Sequence, residues 1–119
     1  MNIKIEYKKG ILFIRPIGIF NRLTYKTFNE EVFPIVLKNE LKYIVINFEK
    51  VKSVDGSAIN SLDSLFSIID RFKGKISLCN LNDSKIKNFL IKYLKNDNFY
   101  ETKNELSALE MFELWNKKY

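Results

Sequence analysis

The chain contains no histidine and one cysteine, Cys79, in 119 residues. The first absence removes serine–histidine and cysteine–histidine nucleophiles, together with every histidine-bearing metal site. The second removes thiolate clusters and any disulfide within one chain. Because Cys79 lies inside an apolar segment, it reads as an inert, reduced core thiol. Only four glycines and two prolines occur, and no glycine-rich phosphate loop, repeat, linker or low-complexity tract breaks the chain. Nowhere do about 18 apolar residues follow one another, and the opening MNIKIEYKKG holds no long apolar run. The sequence therefore supports neither a membrane span nor a signal peptide. A cytoplasmic setting is the expectation.

What is present suffices for a core. A chain of this length reads as one domain, residues 1–119, and should bury somewhat over ~60% of its unfolded surface. Lysine and arginine number 20 against 14 aspartates and glutamates, a net charge of +6, which raises the question of nucleic acid. The distribution argues against it: Lys4, Lys8, Lys26, Lys42, Lys50, Lys73, Lys85, Lys95 and Lys117 are scattered through every segment, and no RNA-recognition, zinc-finger or basic-region motif accompanies them. The expectation is a solvated lysine-rich surface with no direct nucleic-acid partner.

Periodicity places the elements. Ile3, Ile5 and Tyr7 alternate with polar residues, which predicts a half-solvated strand; Lys9-Gly10 turns it back into a strand from Ile11 to Ile17, pairing as a hairpin. Pro16 lacks an N–H and should sit at the strand end or at an unpaired position. A helix follows from about Thr24 to Lys38, with Phe28, Val32, Ile35 and Val36 inward. Pro34 predicts a kink in it or a break after Phe33. Lys73-Gly74-Lys75 reads as a helix stop with Gly74 left-handed, and Ile76 to Asn80 as the next strand. Asp83 should cap a helix carrying Ile86, Phe89, Leu90 and Tyr93 inward. Phe99 to Glu101 is a short extended piece whose pairing the sequence leaves open. Asn104 should cap a last helix packed through Leu106, Leu109, Phe112 and Trp115, with Lys117 and Lys118 complementing its dipole. The fold class is α/β: one domain, a mixed sheet of four to five strands and about four flanking helices.

The centre of the pattern is Tyr43 to Phe72. Tyr43 to Phe48 is β-branched and almost continuously apolar, as suits a strand covered on both faces. Ile59, Leu62, Leu65, Phe66, Ile69 and Phe72 then recur at three- and four-residue steps, the apolar stripe of a helix. Between them lies Val54-Asp55-Gly56-Ser57-Ala58, a turn in which Asp55 or Ser57 can cap the helix.

At these residues the chain resembles the STAS family, the anti-sigma factor antagonists and their relatives, whose members carry a D-S-S-G corner between a strand and a helix. Here the corner reads Asp55-Gly56-Ser57-Ala58, and Ser57 falls on the family's phosphorylated serine. Asn47 to Val54 aligns without a gap to the stretch before that corner, Gly18-Ile19-Phe20-Asn21 resembles the family's G-x-L-D turn, and Lys75 to Leu81 resembles the strand after the second helix. Gly56, Ala58 and Asn21 depart from the pattern: Ala58 adds a methyl where a partner's backbone would approach, and Asn21 removes a charge.

The resemblance implies a partner-switching protein. Unphosphorylated, it would bind an anti-sigma factor with serine-kinase activity and release a sigma factor; phosphorylation at Ser57 would end the complex, and a serine phosphatase would restore it. The implied docking surface comprises Asn21, Asp55, Gly56, Ser57, Ala58, Asn60 and Ser61. No catalysis, metal or cofactor of its own is implied. Two other readings compete: a constitutive scaffold or accessory STAS subunit of a transporter or sensory complex, and an enzyme with Ser57 as nucleophile and a nearby lysine as base.

Overall fold

The computed structural model describes residues 1–95 and 99–118, with side chains through Trp115. The expected pairing of Lys117 and Lys118 with a helix dipole therefore lies outside the described side chains. Ten elements alternate along the chain: β1 (Asn2–Lys8), β2 (Ile11–Phe20), α1 (Tyr25–Asn39), β3 (Tyr43–Asn47), β4 (Val51–Val54), α2 (Gly56–Arg71), β5 (Lys75–Cys79), α3 (Ser84–Tyr93), β6 (Phe99–Thr102) and α4 (Glu105–Lys118). The sheet has six strands where the sequence predicts four to five. Its main path runs β1-β2-β3-β5-β6, and β4 pairs with β2 off that path.

β1 and β2 form an antiparallel hairpin. Lys9 and Gly10 both take positive φ, 54° and 78°, the geometry a two-residue turn needs to match strand twist. β2 is long enough to serve two partners in succession, β3 through Ile11–Ile14 and β4 through Gly18–Phe20, both parallel. Pro16 falls in the interval between them, where a missing N–H removes no parallel ladder bond. β3 pairs with β5, and β5 with β6, so the segment 99–102 is a true parallel strand.

Side-chain alternation splits the core into two layers. Leu12, Ile14, Ile44, Ile46, Ile76 and Leu78 meet Phe28, Val32 and Val36 of α1, the Ile59–Ile69 stripe of α2, and Ile86 and Leu90 of α3. Ile11, Phe13, Val45 and Cys79 meet Ala108 and Phe112 of α4 on the other face. Three helices thus cover one face and a single helix the other, and β3 is buried on both.

Four local expectations change. α1 continues through Pro34 with no break after Phe33. Both Pro34 and Glu30, whose carbonyl loses its amide partner, are exposed, on the solvent side of the helix, while Val32 and Val36 are buried against the core. Lys73, not Gly74, takes the left-handed conformation, with φ 58°. Gly74 is needed for space: a Cβ there would collide with the Lys42 carbonyl oxygen. Tyr93 and Leu106 are exposed, and α4 packs instead through Ala108, Leu109, Met111, Phe112 and Trp115. Asp83 and Asn104 cap α3 and α4 as expected.

Candidate functional site

The site is assembled where two loops meet at the start of α2. Asp55 takes an extended conformation, and its Oδ1 accepts from Ser57 N at 2.9 Å and Ala58 N at 3.2 Å. Asp55 is therefore the helix cap. Ser57 sits in the first turn, half-exposed, with its hydroxyl free of the capping role. The second oxygen of Asp55, Oδ2, accepts from Arg22 N at 3.1 Å across 33 positions of sequence. One carboxylate thus joins the β2–α1 loop to the α2 corner.

That loop is shaped by Asn21 and Thr24. Asn21 Oδ1 accepts from Leu23 N at 2.9 Å, Thr24 Oγ1 accepts from Asn21 N at 2.9 Å, and the Thr24 hydroxyl donates to the Ile19 carbonyl at 2.8 Å. Asn21 is spent on this turn, and what the turn presents outward is Arg22 and Leu23, the latter 81% exposed.

Between α1 and α2 lies an open cleft of about 430 Å³ lined by Arg22, Tyr25, Asn29, Ser57, Asn60, Ser61 and Ser64. Of the residues that the family resemblance marks as a docking surface, Ser57, Asn60 and Ser61 line the cleft, Gly56 is exposed beside Ser57, and Asp55 ties Ser57 to the loop that Asn21 shapes. Two do not stand on the surface. Ala58 is 0% exposed, because its position in the first helical turn points at the sheet, so its methyl packs into the core and meets no partner backbone. Ser61, one turn on from Ser57, is 2% exposed and forms part of the cleft wall. Its Oγ and Asn29 Oδ1 are both buried without a hydrogen-bond partner. Among the described residues no lysine lines this cleft.

A larger cavity, about 580 Å³, opens elsewhere, along Arg15, Asn47, Asn80 and Glu105. Arg15 Nε and Nη2 donate to the two Glu105 oxygens at 2.7 Å each, and Asn47 Nδ2 donates to the same carboxylate at 2.7 Å. The guanidinium and the Asn47 amide hold Glu105 below the usual carboxylate range, and its charge in turn raises Arg15. This network ties the start of α4 to β2 and β3. Nearby, burial pushes the Cys79 thiol up to about 12, so it stays protonated and unreactive. Arg22, Tyr25 and Asn29 carry no mark in the sequence because they lie 28 to 35 positions before Ser57 on a different element.

The STAS domain family model matches residues 2–106, and the chain belongs to that family. Among solved structures, it is similar to the anti-sigma factor antagonist SpoIIAA in its unphosphorylated form, with TM-score 0.74, 15% identity, and coverage of 94% of this chain and 98% of that one. TM1081 of Thermotoga maritima gives TM-score 0.85 at 15% identity over 93% and 94%. A serine-to-glutamate variant of Moorella thermoacetica RsbS gives 0.82 at 13% over 98% and 99%. No curated protein matches by sequence. At these identities the likeness establishes the fold. Among the described residues no helix is long and apolar enough to cross a membrane.

Proposed function

We propose that this chain is an anti-sigma factor antagonist that switches partners through Ser57. Unmodified, it docks on an anti-sigma factor with serine-kinase activity. The kinase then transfers phosphate: the Ser57 Oγ–P bond forms as the β,γ-anhydride of ATP breaks, ADP leaves and the hydroxyl proton passes to the kinase. A serine phosphatase reverses the change. The cytoplasm, where both enzymes and ATP reside, is the setting, and the chain supplies no catalysis.

The observation that carries this reading is the position of Ser57: half-exposed, uncommitted to the cap, and on the rim of a cleft at a helix N-terminus. That location accepts a phosphate, since the helix dipole favours negative charge there by ~0.3–1 kcal/mol, although the Ser57 and Ala58 amides are already taken by Asp55. Phosphorylation adds about −1.5 to −2 charge to a small neutral corner. Against a partner seated on that corner, ~3–4 kcal/mol of lost complementarity weakens binding several-hundred-fold. SpoIIAA, which shares the fold, has been solved both unphosphorylated and phosphorylated.

The test is incubation with the source organism's anti-sigma serine kinases and ATP, followed by phosphate mapping by mass spectrometry. Label on Ser57 is expected; an active kinase that leaves Ser57 unlabelled contradicts the proposal. The second reading, a scaffold, is favoured by the fold's recurrence in the stressosome and as 18% of the murine Slc26a9 anion transporter. It requires a stable complex whose affinity is unchanged in Ser57→Asp.

A further inference from the structure

The cleft beside Ser57 has a chemical mismatch that partner switching alone leaves unused. Two of the residues that line it, Ser61 and Asn29, each hold a buried oxygen without a partner, Ser61 Oγ and Asn29 Oδ1. Buried acceptors without donors are costly and uncommon, and Ser61 is 2% exposed. On the same cleft lies an exposed guanidinium, that of Arg22, and among the described residues no carboxylate forms an ion pair with it. The Asp55 carboxylate holds Arg22 and Ser57 side by side, taking Arg22 N at 3.1 Å on one oxygen and Ser57 N at 2.9 Å on the other.

A guanidinium carries five N–H donors in a planar fork suited to phosphate. We propose that a phosphate on Ser57 draws Arg22 over the cleft and that the Ser61 and Asn29 side chains turn outward to it, so that the guanidinium bridges the phosphate to Ser61 Oγ and Asn29 Oδ1 and fills the space a partner's side chain would enter. The inference rests on Ser57 being the phosphoacceptor. It adds that the phosphorylated form excludes its partner in two ways, by charge on the rim and by a plugged cleft. In the unmodified form the guanidinium has no anion to hold it, and the cleft stays open to a donor group from the partner.

Phosphoserine placed at position 57 during translation tests this without any kinase. The phosphorus NMR shift is titrated against pH in the otherwise unchanged chain and in Arg22→Gln, an exposed position whose replacement leaves the core untouched. Asp55, the neighbouring carboxyl group, is common to both proteins. The second phosphate ionisation should lie about one unit lower with Arg22 than with glutamine. The Asn29 side-chain amide signals should move on phosphorylation only when Arg22 is present. Arg22→Lys, which keeps the charge and loses the fork, should recover part of the pKa difference and not the Asn29 shift. Equal midpoints in the Arg22 and glutamine proteins overturn the proposal, as do Asn29 signals indifferent to phosphorylation. A failure of every kinase to label Ser57 would count against the switching function, whereas the titration reads the Arg22 bridge independently of any kinase.

Discussion

At Asp55 a single carboxylate accepts from the amides of Arg22, Ser57 and Ala58, so it caps a helix and docks a loop at once. Replacing it by alanine should cost ~1–2 kcal/mol in urea unfolding, and Asp55→Asn should recover the cap through its one amide oxygen while losing the bond to Arg22 N, where an NH2 donor would replace the accepting Oδ2. Glu105 works at the start of α4. Its folded pKa lies below the ordinary carboxylate value because Arg15 and Asn47 hydrogen-bond the charged form. The pairing therefore stabilises the fold fully at pH above the unfolded carboxylate's pKa and is lost as pH falls through the lower folded value. Glu105→Gln should cost roughly 1 kcal/mol at neutral pH and remove that part of the acid-side decline, as followed by denaturation at stepped pH. The two residues are unequally legible. Asp55 announces itself beside Ser57 in sequence, whereas Glu105 meets Arg15 across 90 positions, a pairing no local pattern encodes.

Among elements, the apolar strand β3 and the amphipathic stripe of α2 are readable because burial on two faces and on one stripe leave different periods in sequence. β4 is not. Val51-Lys52-Ser53-Val54 is four residues with an exposed polar centre, and it is a strand only because β2 extends past β3 and offers it an edge. Gly74 is legible as a required glycine, but its sequence context suggests the wrong reason. The backbone of Lys42 crosses its Cα, with the Lys42 oxygen and Cα both within 3 Å of where a Cβ would be. Gly74→Ala should therefore cost ~1–3 kcal/mol, visible as a lowered denaturation midpoint, even though alanine suits the residue's backbone angles.

For the whole molecule, the sheet buries its central strands under three helices on one face and α4 on the other, leaving the α2 corner, the β2–α1 loop and the α1–α2 cleft as one composite surface. Leu23, 81% exposed on that loop, is the apolar group best placed to anchor a partner. Leu23→Ala should leave stability within about 0.5 kcal/mol while weakening the complex about tenfold, separable by running denaturation and calorimetry on the same preparation. Turn chemistry and family spacing point to the corner from sequence, yet the cleft itself belongs to the packing of α1 on α2 and exists in no stretch of residues alone.

The most direct trial of partner switching at Ser57 is a calorimetric titration of the anti-sigma serine kinase with this chain bearing either serine or phosphoserine at position 57. Tight binding is predicted for the first and affinity several-hundred-fold weaker for the second. Equal affinities would contradict the switch.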